Sequence, residues 1–263
     1  MKRYSVLSFL LILCFSFRGQ AQQSSDLLYD SFNQRFLNPN KWATSSPCFT
    51  QSILECVREI RNGELRLAVR SYGAKDSNEG SQYGESELHF IKPTAVRSIA
   101  TQLVVQRTNA LSCATNLDSA HAHALIAGRF FNSGSADAND DVEALLIFDH
   151  SSTDPVGVLS VGAFMHWQGQ FFGDVSLPPA KVGQQIIAQL RWDQANHQFI
   201  ASWTDVRTGV VAQATMPYLV SDTTTPVFSD KLLGVRAFTP NCLDTKFRSV
   251  DMDAAFDDVT IKP

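Results

Sequence analysis

The chain has 263 residues, with 22 basic and 26 acidic side chains that give a net charge of −4 at pH 7. Residues 1–21 hold three basic residues and no acidic one, so the rest of the chain carries a net charge of −7. An acidic surface repels phosphate backbones, which argues against a nucleic-acid partner.

The N-terminus predicts a secretory signal peptide over residues 1–21. Lys2 and Arg3 precede an apolar run over residues 6–15, and residues 19–21 offer the small side chains that a signal peptidase reads. The run is too short to span a bilayer comfortably, and no later segment predicts a membrane span in the mature chain. We therefore expect a secreted or periplasmic protein whose residues 22–263 form one domain.

Two alternatives to a cleaved signal peptide stay open. One is a membrane anchor that is never cut. The other is a lipoprotein signal at Cys14, although the bulky Leu13 stands before it where a small residue would be expected.

Strand periodicity runs through the rest of the chain, and helical periodicity is nearly absent. Gly63 opens a run in which Leu65, Leu67 and Val69 share one face. Further strands are predicted at residues 101–106, 142–149, 156–165, 210–216, 232–238 and 256–261. Residues 186–203 predict a hairpin with turn residues at 193–197. Short strands separated by Gly, Pro, Asn and Asp predict an all-β sandwich or barrel.

Four cysteines follow the predicted signal: Cys48, Cys56, Cys113 and Cys242. An even count in an exported chain predicts two disulfides, and four cysteines allow three pairings. Cys48 and Cys56 are close in sequence, which favours the pairs Cys48–Cys56 and Cys113–Cys242.

The chain ends resemble those of concanavalin A-like jelly-roll domains. Asp30-Ser31-Phe32 and then Leu37-Asn38-Pro39-Asn40-Lys41-Trp42 resemble their opening, and residues 63–67 and 256–261 resemble their next and last strands. The resemblance implies a sandwich of two antiparallel sheets, one of them concave, whose concave face often holds glycans. It also implies a structural calcium near the paired terminal strands, with Asp30 and Asp257 or Asp258 as ligands. The superfamily includes lectins, glucanases, lyases and plain binding modules, so fold alone does not give function.

The glucanase motif of this superfamily, Glu-x-Asp-x-x-Glu, is absent. The nearest candidate is the strand face shared by Tyr83, Glu85, Glu87 and His89, which has room for an acid and a base. The alternative is an ordinary solvated outer face with Leu88 inward.

Two other segments carry metal-ligand types. His121 and His123 share one strand face, but no third ligand is identifiable from the sequence. Residues 137–141, Asp-Ala-Asn-Asp-Asp, have oxygen ligands that suit calcium without the order of an EF-hand loop. Surface histidines and a solvated acidic turn are the alternatives.

The aromatic segment 164–173 gives the ligand-site prediction. Trp167 stands beside His166 and Gln168, and a ring flanked by polar side chains suits a sugar that stacks its C–H face. The alternative is that the phenylalanines are core and Trp167 caps a hairpin.

The leading hypothesis is a secreted, non-catalytic glycan-binding or surface-associated β-sandwich, with a poly- or oligosaccharide as its partner. A glycoside hydrolase or polysaccharide lyase of the same fold, and a structural protein without a small ligand, are the alternatives.

Overall fold

The computed structural model describes residues 26–43, 48–50, 54–75, 77–116, 118–135, 137–243 and 248–263. These form the following strands: β1 Leu27–Asp30, β2 Phe49–Thr50, β3 Leu54–Arg61, β4 Glu64–Tyr72, β5 Ser81–His89, β6 Ser98–Ala110, β7 His121–Asn132, β8 Asp141–Ser151, β9 Val158–Trp167, β10 Gln170–Lys181, β11 Ile186–Asp193, β12 Gln198–Asp205, β13 Val211–Pro217, β14 Lys231–Pro240 and β15 Ser249–Lys262. Single 3₁₀ turns occur at Pro93–Ala95, Ala138–Asp140 and Gln194–Asn196. The predicted signal peptide lies outside the described residues and stays a prediction.

The strands form two sheets in which every pairing is antiparallel. One sheet has seven strands in the order β10-β9-β8-β7-β14-β5-β2. The other has eight, in the order β13-β12-β11-β6-β15-β4-β3, with β1 also paired to β15. This architecture confirms the predicted all-β jelly-roll sandwich.

The core lies between the sheets and follows the predicted alternation. In β4, Leu65, Leu67 and Val69 are buried. In β8, Val142, Ala144, Leu146 and Phe148 face the core, while residues 143, 145, 147 and 149 take the outer face. A one-residue shift in strand pairing would move each of these apolar sets from the core face to the outer face. The hydrophobic pattern therefore specifies the register.

The chain ends meet as the resemblance implied. β1 pairs with β15 through Leu27 and Ile261. The fully buried Trp42 packs on Phe32, with ring centroids 5.7 Å apart, and its indole N–H donates to Asp30 Oδ2 at 2.7 Å. Asp30 and the aromatic residues thus join the opening segment to the core.

Both predicted disulfides are present. Cys48–Cys56 and Cys113–Cys242 have Cα–Cα distances of 6.1 and 6.2 Å, respectively. The second closes a span of 129 residues between the loop before β7 and the end of β14. These cross-links confirm the pairing that proximity in sequence favoured.

Strand β10 was not among the predicted strands. Its sequence contains Pro178 and Pro179, which lack N–H donors and argue against a central strand. The structure places β10 at the edge of the seven-stranded sheet, where the register shifts between Leu177 and Ala180. An edge strand tolerates proline because one side of it needs no ladder hydrogen bonds.

Candidate functional site

The outer face of the seven-stranded sheet, turned away from the core, carries rows of polar side chains together with several aromatic rings. Residues paired in register point to the same side of a sheet, so they form rows across the strands. One row contains Glu85, Arg236, His123, Asp149 and Ser160. The next contains Tyr83, Phe238, His121 and Ser151.

An ionic network occupies the β5 and β14 side of this face. It consists of Tyr83, Glu85, Glu87, His89, Arg236 and Asp230. Arg236 Nη2 and Nε contact Glu87 Oε1 at 2.6 and 2.8 Å, and Arg236 Nε lies 3.7 Å from Glu85. The other Glu87 oxygen lies 3.4 Å from His89 Nε2. Gly234 makes room for this arrangement, since a Cβ there would meet the Glu87 side chain at 3.0 Å.

The network separates the pKa values of its members. Burial and the charge of Glu87 raise the pKa of Glu85. Burial acts to raise the pKa of Glu87 as well, but the hydrogen bond from His89 and the charge of Arg236 hold it below its usual value. Hydrogen bonds to Asp230 and Glu87 raise the pKa of His89 to about 10. The His89 imidazole is therefore cationic at neutral pH, and together with Arg236 it offsets most of the negative charge of the three carboxylates.

A groove with a volume of about 590 Å³ lies beside the network, over β7, β8, β9 and β10. Its polar side chains are Ser119, His121, His123, Asp149, Ser151, Ser160, Asp174 and Ser176. Its aromatic side chains are Phe164 and Phe171, and Phe171 is 69% exposed at the rim. Apolar outer-face residues of the same sheet form a buried cluster around Leu125, Leu145 and Ile147, against which Phe164 packs.

The histidines in the groove retain unused hydrogen-bonding capacity. The rings of His121 and His123 stack with centroids 4.9 Å apart, and His121 also stacks on Phe238 at 4.4 Å. His123 Nε2 lies 3.1 Å from Asp149 Oδ1 without hydrogen-bond geometry. His123 Nδ1 is buried and has no hydrogen-bond partner among the described residues. Burial, and then the charge of His123, lower the pKa of His121.

The three predicted ligand residues are not brought together. His166 lies on the outer face, 4.0 Å from Glu143 and 5.4 Å between centroids from Phe171. Trp167 is half-buried against the inter-sheet core, meets Phe172 edge to face, and donates from Nε1 to Ser133 Oγ at 2.9 Å. Because neighbours in a strand alternate faces, His166 adjoins the groove and Trp167 does not.

Gln168 also lies outside the groove. It adopts a positive φ of 51° in the β9–β10 turn. Its Nε2 donates to Asp140 Oδ1 at 2.7 Å, and its backbone N–H donates to the Asn139 carbonyl at 2.9 Å. The side chain therefore joins the turn to the acidic loop.

The predicted calcium ligands have protein partners. Asp30 accepts from the Phe32 N–H and the Trp42 indole, and Asp258 accepts from Gln102. The pKa of Asp257 is raised by burial, with the charge of Asp258 adding to the effect. The described residues contain no group of three or more His, Cys, Asp or Glu side chains placed to hold a metal ion. The calcium site stays a prediction from the resemblance alone.

The acidic loop at residues 137–141 is bound internally. Asp141 is buried and accepts from Asn132 and from the N–H groups of Val227 and Phe228 at 2.8–2.9 Å. Asp137 caps the 3₁₀ turn through the Asn139 N–H. These contacts give the loop a structural role.

Sequence reasoning missed the groove itself. The outer-face histidines and Glu85 carry a period-2 signal, and Phe171 lies within the predicted aromatic segment 164–173, in which Trp167 and not Phe171 is the predicted stacking ring. Asp174 and the serines carry no local signal, since they come from strands that meet only through sheet pairing.

No family model and no curated protein matches the sequence. Among solved structures, the chain is similar to the winged bean acidic lectin complexed with methyl-α-D-galactose, at 11% identity and a TM-score of 0.42, over 91% of this chain and 99% of the lectin. It is also similar to the lectin from Bauhinia forficata in complex with GalNAc, at 14% identity and 0.37, over 91% and 100%. Scytalido-glutamic peptidase with a peptide-based transition state analogue matches at 10% identity and 0.37, over 82% and 76%. Identities this low describe likeness of fold only.

None of the described residues belongs to a helix long and apolar enough to cross a membrane.

Proposed function

We propose that the protein binds carbohydrate in the groove over β7 to β10. One observation carries the proposal: an unpaired carboxylate stands with an exposed aromatic ring in a groove of ligand size. Asp174 lines the groove, is exposed and makes no hydrogen bond or ion pair among the described residues. Phe171 lies at the rim and is 69% exposed. A ligand donor that reaches this carboxylate makes a charge-assisted hydrogen bond without displacing a protein contact.

The chemistry of the groove suits a sugar. A pyranose ring has an apolar C–H face and a rim of hydroxyls that both donate and accept. Phe171 offers a flat apolar surface, whereas the serines, Asp149 and His123 offer donors and acceptors. A volume of about 590 Å³ falls within the range of small-ligand pockets and suits a short oligosaccharide.

A second candidate function is glycoside hydrolysis at the ionic network. It is favoured by the opposite pKa displacements of Glu85 and Glu87, the pattern expected of an acid and a base. However, Arg236 and His89 engage both oxygens of Glu87, which leaves neither free for a water or a sugar carbon. We therefore propose a non-catalytic protein. Turnover of a polysaccharide that Glu85→Gln abolishes would establish the second candidate instead.

Export is the other part of the proposal. Two disulfides support it, because such cross-links persist in oxidising compartments. The intact mass of the exported protein is expected to match a chain that starts at Gln22. A full-length chain in the medium would contradict cleavage after residue 21.

A glycan array with matched variants tests the binding proposal. Phe171→Ala removes the rim ring, whereas Phe36→Ala removes a ring that is 75% exposed outside the groove. We expect Phe171→Ala to weaken glycan binding by about tenfold, from a stacking contact of roughly 1–1.5 kcal/mol. Phe36→Ala should bind like wild type. Equal losses in both variants, or no glycan bound by the wild type, would contradict the proposal.

A further inference from the structure

The two carboxylates in the groove have no permanent cationic partner. Asp174 stands on β10 and Asp149 on β8, both lining the groove. Among the described ranges, no lysine or arginine lies within ion-pair distance of either one. The neighbour of Asp149 is His123, which offsets its charge only when protonated. The groove is therefore negatively charged wherever its histidines are neutral.

The nearby arginine on the outer face does not neutralise the negative charge of the groove. Arg236 is adjacent to His123 in the register, but its guanidinium is held by Glu87 at 2.6 Å and flanked by Glu85 at 3.7 Å. A ligand carboxylate or sulfate reaching Arg236 would have to displace buried glutamates or lie against them. Like charges at that distance disfavour an acidic glycan.

An exposed aromatic ring and the unpaired carboxylate both line the groove, with Phe164 next to each. Asp174 is paired in register with Phe164, and Phe164 lies 5.9 Å from Phe171 between ring centroids. A cation is attracted both to a carboxylate and to the face of an aromatic ring. The Asp174 carboxylate and the Phe171 ring, which both line the groove, can therefore both attract an ammonium group.

We propose that the groove selects glycans that carry free amino groups, with the ammonium at Asp174 beside the Phe171 ring; this inference rests on the proposed carbohydrate-binding function. The amino group would supply the positive charge that the described groove lacks. N-acetylation removes that charge and adds bulk. The groove is therefore expected to distinguish a glucosamine unit from its N-acetylated form.

Titration calorimetry with three oligosaccharides of equal length tests this inference. The ligands are a β-1,4-linked glucosamine hexamer, its fully N-acetylated counterpart, and a uronic acid hexamer, at neutral pH, where a fraction of the sugar amines is protonated and acid does not favour the cationic form of the groove histidines. For the wild type we expect roughly tenfold tighter binding of the glucosamine hexamer than of the acetylated one, typical of one charge-assisted contact. The preference should decrease as salt is added.

Asp174→Asn removes the proposed ammonium contact with little change of shape. We expect it to bring the two affinities within about twofold, with an unchanged melting temperature because Asp174 makes no described hydrogen bond or ion pair. The matched control is Glu59→Gln, which removes one negative charge from the eight-stranded sheet and should keep the preference.

The outcomes separate the two proposals. Equal binding of the amino and acetylated hexamers, or tighter binding of the uronic acid hexamer, overturns the amino preference while the groove remains a glycan site. A preference that persists in Asp174→Asn also overturns it. No binding of any hexamer, and none on the glycan array, overturns the carbohydrate-binding function as well.

Discussion

The ionic network and the groove lie side by side on one sheet face, yet their polar groups are in opposite states. In the network, Arg236, Glu87 and His89 use one another as partners at 2.6–3.4 Å. In the groove, Asp174 makes no hydrogen bond or ion pair among the described residues. The charged groups of the network therefore have protein partners, whereas the groove keeps an unpaired carboxylate.

Charge density alone therefore does not locate a binding site on this face. A network whose members already contact one another gains little from a ligand, since each contact with the ligand would replace an existing contact. An unpaired carboxylate in a groove displaces only water when a ligand donor binds it. We therefore propose that the network stabilises the fold and that the groove serves recognition.

The largest expected effect comes from breaking the network. Glu87→Ala leaves the Arg236 guanidinium without its closest carboxylate, and the Glu87 side chain is only 9% exposed. Removing one partner of a buried ion pair typically costs about 3 kcal/mol or more. We expect urea denaturation to show a loss of this size with glycan binding retained after correction for unfolded protein.

Glu85→Ala is the matched control for that variant. Glu85 is on the same strand but lies farther from Arg236, at 3.7 Å, and is more exposed. It should cost under half as much stability. Equal losses, or a Glu87→Ala protein as stable as wild type, would remove the distinction between the two regions.

A smaller loss of stability is expected from Trp167→Ala, and it distinguishes Trp167 from Phe171, the exposed ring at the rim of the groove. Trp167 packs on Phe172 and bonds to Ser133, so Trp167→Ala is expected to lower the free energy of unfolding by about 2 kcal/mol. Phe171→Ala should change stability by less than about 0.5 kcal/mol, as for an exposed surface site. Thermal denaturation and the glycan array together check this. If Trp167→Ala lost glycan binding while its stability stayed unchanged, the result would support the site predicted from the sequence instead of the groove.

The smallest effect is a pH dependence from His89. Its folded pKa of about 10 lies above the ordinary value near 6.5, so its contribution is fully present below about pH 6.5 and is lost as pH rises through about 10. We expect roughly 1 kcal/mol, because Asp230 is well exposed and solvent screens that pair. His89→Gln should lack this decline.

Lys231 changes the pH dependence of stability in the opposite direction, so its contribution has to be separated from that of His89. Burial lowers its pKa to about 8, so its destabilisation is relieved as pH rises from about 8 towards 10.5. The difference between the wild-type and His89→Gln stability curves removes the Lys231 contribution, which both share. A difference curve that is flat between pH 6.5 and 10 would contradict the His89 assignment.

Much of the fold was predictable because its signals are local. The alternation of Leu65, Leu67 and Val69, the hairpin around residues 193–197, and the Asp30–Trp42 opening each lie within one stretch of chain. The disulfide pairs followed from the spacing of Cys48 and Cys56. Strand β10 was missed since its prolines suppress a strand prediction unless the strand is known to be at an edge.

The candidate site likewise has features that the sequence predicts and features that it does not. Which residues share a strand face follows from the sequence, as for Glu85 with Glu87 and His121 with His123, since alternation has a fixed period of two. Which strands lie side by side depends on the folded sheet, because sheet order joins strands far apart in the chain. The tertiary structure placed Arg236 between Glu85 and His123, turned Trp167 towards the core, and brought Asp174 to the same groove as Asp149.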